Sequence, residues 1–399
     1  MFKIWTSTEM AANWLTQNTI LSGRKHEVAF LAASDAANPG QFHRMPDHIK
    51  KILYLDAPDV ILEQDGEPVL AIELSREAGT GHNVFQRFAR IAASAENGVP
   101  VVYIYPEAVW ISREASSRWD PINPLIFRAM ERLMHIFSVP ALLYYYPSHY
   151  RFGQPPTTPR GLVDDPSFPG LPDSADPEMK EFFAFVNELV ETCSKGGPHL
   201  ARTLLQRSRL VINRMSWMQD EYHRKGGNSR SWSPLSACQE LPTRVVEEYL
   251  AQFAGVHTVS LPGKRAQTIV YQVGGDIRAD PYTGSLAAVD YLLCRLGRNY
   301  EDRDKNLAVA WGKVKEGKGA ICIQGSHGID EFIAKVKSVT GSNRCLLGRA
   351  YQDLEGAAIP RYYMQARYGC TFTKPKEIRI YCYFADALLF RDGALWREA

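Results

Sequence analysis

Residues 60–74 read VILEQDGEPVLAIEL, and this stretch limits the fold more than any other part of the chain. The Asp65-Gly66 pair lies between two runs of β-forming residues, a pattern that specifies a tight hairpin. Register then decides which side chains share a face, because a one-residue slip sends a whole strand's set to the other side. A two-residue loop at Asp65 and Gly66 sets Glu73 opposite Pro58 and sends Asp59 and Glu73 to opposite faces. A three-residue loop, Gln64 to Gly66, pairs Glu63 with Glu67 and sets Asp59 opposite Ala71. Asp59 and Glu73 are then diagonal neighbours on one face, and this is the expected register. Acidic residues in strands more often line the solvated face of an edge hairpin. Here the flanking runs ILYL and VVYIY have the composition of buried strands, and carboxylates at the end of a buried sheet need a partner.

Around the hairpin the first part of the chain alternates. A strand-like KKILYLDAPDVIL is followed by the strand PVLAIELS, a helix NVFQRFARIAASAEN stopped by Gly98, and a strand VPVVYIYP. The helix has Val84, Phe88, Ile91 and Ala95 on one stripe. A second apolar helix is expected at NPLIFRAMERLMHIF. Prolines recur through residues 146–178 too often for helix or central strand, which marks a linker. The expected division is therefore 1–145, a linker at 146–178, and a mixed α/β region at 179–399. Helical spacing returns at PEMKEFFAFVNELVETC, HLARTLLQRSRLVINRMSWMQDEYHRK and PTRVVEEYLAQFAG. Strands are expected at QTIVYQVGG, GAICIQG and EIRIYCYFADALLFRDG.

The order strand, Pro58-Asp59, hairpin, Glu73-x-Ser75, helix with Gln86-Arg87, then PVVYIYP resembles the PD-(D/E)xK nuclease superfamily, which includes many type II restriction endonucleases. The similarity covers about residues 20–110. It implies an α/β fold with a restriction-endonuclease-like core, a mixed sheet flanked by helices. It also implies a metal-dependent phosphodiesterase in which Asp59 and Glu73 hold the divalent ion, with the Leu74 carbonyl as a further ligand. The family often carries a glutamate on the helix before the first strand, and Glu27 is the match. The departure is at the third motif position, where the family usually has lysine and this chain has Ser75. Arg76 points to the other face by strand parity. Ser75 itself, or a basic residue reaching in such as Lys50, Lys51 or His82, is then expected near the attacking water.

The chemistry agrees with those residue types. Cleaving a phosphodiester needs an activated water and relief of charge on the transition state and leaving oxygen. A hard cation held by carboxylates supplies both, and oxygen ligands suit Mg2+, with Mn2+ as a substitute. No nucleophile elbow, HExxH pair or Walker loop competes.

Double-stranded DNA is the expected partner. Candidate contacts are Arg76, His82, Asn83, Gln86, Arg87 and Arg90 beside the site, and Arg224, Lys225, Asn228 and Arg230 in the segment HRKGGNSRSWS. Cutting both strands of a symmetric site with one active site per chain implies a homodimer. The alternative is a catalytically degenerate nuclease-fold DNA-binding protein of a defence system. The net charge of +2 leaves any basic surface to be local. The 7 cysteines are scattered without zinc spacing, as in a protein of a reducing cytoplasm, and no run approaches a membrane span.

Overall fold

The computed structural model describes residues 1–31, 45–53, 57–76, 91–112, 117–122, 125–150, 154–205, 238–253, 265–273, 303–317, 320–325, 328–331 and 386–396. Those up to residue 205 form one compact unit and those from residue 238 a second. Both are mixed α/β, each built on a mixed sheet.

The hairpin forms the centre of the first sheet. Strands β3 (Val60–Gln64) and β4 (Glu67–Leu74) are joined by a two-residue turn. Asp65 and Gly66 both have positive φ, +51° and +87°, which makes it a type I′ turn. Gln64 pairs with Glu67 and Glu63 with Pro68, but Leu62 pairs with Leu70. Val69 is thus the extra residue of a β-bulge. The bulge shifts the register by one, so the ladder continues through Ile61 with Ala71 and Val60 with Ile72. The expected three-residue loop is therefore replaced by a two-residue loop plus a bulge. Asp59 falls opposite Glu73, one step beyond the last pair, rather than opposite Ala71.

Six strands complete the sheet in the order β2-β1-β3-β4-β5-β8. Strand β1 (Phe2–Thr6) runs antiparallel to β3, and β2 (His26–Phe30) lies parallel to β1 at the edge. On the other side, β5 (Val101–Pro106) and β8 (Ala141–Tyr146) run parallel to β4. A small hairpin of β6 (Ala108–Ile111) and β7 (Arg118–Pro121) follows β5. The β4-to-β5 connection includes helical residues 91–96, stopped at Gly98 with φ +75°.

Helices cover both faces, and strand parity shows which. On one face, Trp14 of α1 (Glu9–Gln17) stacks on Phe182 of α4 (Pro177–Gly196), which also meets Tyr144 edge-on. On the other, His48 of α2 (Asp47–Leu53) reaches Glu63, and Phe127 of α3 (Leu125–Phe137) meets Tyr145. Residues 50–53 thus differ from the expected strand KKILYL. Asp47 opens a helix there, and Ile49, Ile52 and Leu53 recur at helical spacing and are buried. Residues 199–204, expected as α-helix, belong to a 3₁₀ helix that begins at Pro198.

The proline-rich segment expected as a linker lies within the first unit, as does α4 beyond it. Its described residues form a strap closed on itself by two short bridges, Ser148 with Leu162 and Asp164 with Pro172, and held to the rest of the unit by hydrogen bonds. Trp14 Nε1 donates to Pro172 O at 3.1 Å, and Trp119 Nε1 donates to Gln154 O at 2.6 Å. Prolines exclude regular ladders there, but not side-chain anchoring.

The second unit has a sheet in the order β15-β14-β11-β10-β9. Strands β10 (Gln267–Val273), β11 (Lys305–Trp311) and β14 (Ala387–Phe390) are parallel, and β9 (Cys238–Pro242) and β15 (Gly393–Trp396) run antiparallel at the edges. The hairpin of β12 (Lys313–Glu316) and β13 (Ile321–Gln324) follows β11. Helix α5 (Thr243–Ala251) packs Val246, Tyr249 and Leu250 into the core with Val270, Ala308 and Leu389. Asp386 binds buried Arg303, and its Oδ2 accepts the Leu307 amide at 2.8 Å, joining the starts of neighbouring strands. A charge this deep is tolerated only when paired in this way.

Candidate functional site

The carboxyl ends of β1, β4, β5 and β8 and the amino end of β3 meet at one end of the first sheet. In open α/β sheets that end is where ligands bind. Asp59 precedes β3 there, and Glu73 lies near the end of β4. Because opposite residues of a ladder project to the same side, the register puts the two carboxylates on one face.

Glu73 and Ser75 are both 1% exposed, while Asp59 is half-buried. Leu74 N donates to Asp59 Oδ2 at 2.7 Å, and Ser7 Oγ lies 3.4 Å from Asp59 Oδ1. Ser7 N also donates to Asp59 O at 2.9 Å, which ties the first acid to the end of β1. Ser75 N donates to Ile104 O at 2.9 Å, continuing the parallel pairing with β5 beyond Leu74. On the same face Tyr103 pairs in register with Glu73, and its ring meets that of Tyr105 edge-on at 5.3 Å. The two carboxylates and the Ser75 hydroxyl thus stand beside a buried aromatic pair.

Arg76 projects to the opposite face, as strand parity requires, and pairs with Asp164 of the strap at 2.7 Å. Lys50 is paired with Asp47 on its own helix at 2.6 Å, and the exposed Lys51 lies on the same helix. Glu27 is not brought to the site. It lies on the edge strand β2 rather than on a helix, opposite Lys3, with which it forms a 3.9 Å ion pair. Lys3 is four residues from Ser7, so Glu27 is about 13 Å away along the strand direction and two strands across. The segment HEVAF is too short for its helical and strand patterns to differ, and parallel pairing with β1 decides the outcome. His82, Asn83, Gln86, Arg87, Arg90, Arg224, Lys225, Asn228 and Arg230 lie outside the described residues.

Three residues near this end of the sheet escape a sequence reading: Ser7, Tyr146 and Asp164. The only signal for Ser7 is its place after a strand that pairs with β3. Asp164 sits among prolines and glycines, where an acid reads as turn chemistry. A further buried acid, Glu63, lies at the other end of β3. It accepts from Trp5 Nε1 at 2.6 Å and lies 3.0 Å from His48 Nε2, so its carboxylate is absorbed by the core.

The donor set suits a small hard cation. Mg2+ is commonly held by one or two carboxylates, with water and substrate phosphate completing its shell. Asp59, Glu73 and the Leu74 carbonyl are oxygen donors of that kind. Among the described residues, no group of three or more His, Cys, Asp or Glu side chains is gathered as a metal cage. No helix among them is long and apolar enough to cross a membrane. Comparisons with protein-family models, with curated proteins and with solved structures find no match for this chain.

Proposed function

We propose that the first unit is a restriction-endonuclease-like nuclease core and that the protein is a Mg2+-dependent DNA endonuclease, in the manner of a type II restriction enzyme. The observation that carries this reading is the bulged register that sets Asp59 opposite Glu73 at the carboxyl end of the sheet. The antiparallel β1-β3-β4 arrangement and the helix-containing connection to a parallel β5 also support it. Mn2+ is the expected substitute metal, and a homodimer acting on double-stranded DNA follows from the single site per chain.

In this reading Asp59, Glu73 and the Leu74 carbonyl hold the metal. When bound, it lowers the pKa of a coordinated water and offsets charge on the phosphoryl oxygens. The chain's own part is positional. The Leu74 amide fixes the rotamer of Asp59, Ser7 steadies its other oxygen, and Tyr103, buried in register with Glu73, packs beside that acid. The Ser75 hydroxyl stands where the superfamily usually has lysine, and in that place it accepts or donates a hydrogen bond to the attacking water.

The test is incubation of purified protein with unmethylated plasmid and phage DNA, with Mg2+ or EDTA, beside Asp59→Asn and Glu73→Gln. Discrete fragments that require Mg2+ and both acids are expected. Metal-independent cutting, or full cutting by either variant, would sink the assignment. A second reading is favoured by one observation: Arg76, the cation nearest the lysine slot in sequence, is committed to Asp164. It is a DNA-binding protein of nuclease fold that has lost catalysis. Salt-sensitive DNA binding without nicking at any enzyme level would select it.

A further inference from the structure

Asp164 has a heavily used carboxylate near the site. Arg76 Nη2 donates to its Oδ1 at 2.7 Å and to its Oδ2 at 2.9 Å. Tyr146 Oη donates to Oδ1 at 2.7 Å, and Gly170 N donates to Oδ2 at 3.0 Å. One side chain thus gathers the end of β4, the end of β8 and the strap.

We propose that Asp164 is a positioning residue for the proposed nuclease site: acting through Arg76, it fixes the last residues of β4 and with them the Glu73 carboxylate and Leu74 carbonyl. The inference rests on the nuclease reading for its catalytic consequence. Its structural half stands on geometry alone.

Four observations support it. Arg76 is on the face opposite Glu73 and Ser75, so it acts on them through the backbone rather than by touching substrate. The strap is anchored independently, by Trp14 to Pro172 O and by Trp119 to Gln154 O, and is braced within itself by Asp165 accepting from the Ser167 and Ser174 amides, so Asp164 does not simply follow the arginine. Gly170 makes room for the ion pair: with φ +91°, it sits where a Cβ would come within 2.9 Å of Arg76 Nη1. The Tyr146 donor is also constant. Burial, and then the bond to Asp164, push its hydroxyl far up, so it stays an O–H donor at any working pH.

The experiment compares wild type with Asp164→Asn, Arg76→Lys and the charge-exchanged pair Arg76→Asp with Asp164→Arg. Amide exchange over residues 70–76 is followed by mass spectrometry, and kcat and KM are measured on plasmid DNA with Mg2+. Asp164→Asn is expected to speed exchange at the end of β4, and to lower kcat ~10-fold or more with KM little changed, because small misplacements of catalytic groups cost that much. The exchanged pair should recover part of both. Wild-type protection of residues 73–76 in Asp164→Asn overturns the proposal. If that variant does not fold, wild-type protection in Arg76→Lys overturns it equally. Faster exchange in a protein that cuts no DNA with Mg2+ or Mn2+ would overturn the nuclease reading and leave the hold of Asp164 on β4 standing.

Discussion

The Leu74 amide donates to the Asp59 carboxylate at 2.7 Å, so the first acid of the pair is bonded to the backbone immediately after the second. Its two duties separate by substitution. Asp59→Asn keeps an oxygen acceptor for the amide and removes the charge. Asp59→Ala removes both. On the proposed nuclease reading, cleavage falls at least ~100-fold in each, on the scale of losing a charged transition-state contact. Only the alanine variant should also lose about 1.5–3 kcal/mol of stability, the usual cost of a hydrogen bond to a charged group. Urea unfolding beside a plasmid assay separates the two.

The turn makes a second test. Gly66 has φ +87° with nothing within 4 Å of a built Cβ, so any cost of a side chain there is conformational rather than steric. Gly66→Ala should destabilise by about 1–2 kcal/mol, the price of a left-handed residue with a Cβ. Gly66→Asn should cost less, since asparagine visits that region more readily. Equal melting temperatures for wild type and Gly66→Ala would count against the type I′ turn.

This turn also marks how far the sequence could be read. Asp65-Gly66 announces a hairpin because few dipeptides tolerate two positive φ angles in succession. The bulge at Val69 gives no such signal: it sits in an unbroken apolar run, and only the pairing of Leu62 with Leu70 reveals it. Asp59 and Glu73 were therefore legible as a pair, while their register was not. The Arg76 to Asp164 contact spans 88 residues and was hidden for another reason, since nothing local marks an acid in a proline-rich run as the partner of a strand end. Glu27 failed because a five-residue strand is decided by its neighbour rather than by its own pattern.

Glu63 provides a control for the site. It is buried on the same strand as Asp59's hairpin, yet it serves Trp5 and His48. Glu63→Gln keeps an acceptor for the indole and should leave both stability and cleavage near wild type. Glu63→Leu strands the buried Trp5 N–H and should cost about 1–3 kcal/mol with no specific loss of kcat. A loss of cleavage in a folded Glu63→Gln protein would count against the proposed site at Asp59 and Glu73.

Thiol reactivity tests the packing of α4. Burial raises the Cys193 thiol to about 11, and its side chain is buried against the helix's own core, whereas Cys322 is exposed on β13. Alkylation needs both access and thiolate. Iodoacetamide at pH 8, followed by peptide mapping, should modify Cys322 and spare Cys193 until denaturant is added.

Acid should loosen the strap through Asp165. Burial alone would raise its pKa, but the Ser174 side chain and the Ser167, Ser174 and Phe168 amides outweigh it, so the folded value is lowered below the ordinary 3.8. A depressed carboxylate stabilises the fold fully above its unfolded pKa, and that contribution disappears as pH falls through the lower folded value. Asp165→Asn should therefore be less stable than wild type by about 1–2 kcal/mol at pH 7, and the gap should close as the pH falls from above 3.8 through the lowered folded value. Urea titrations of both proteins across that range measure it directly. The Trp14 indole N–H, held by Pro172 O on the same strap, should shift in its NMR resonance over the same acid range in wild type. A gap that stayed constant with pH would mean that Asp165 acts by shape and hydrogen bonding alone, without its charge.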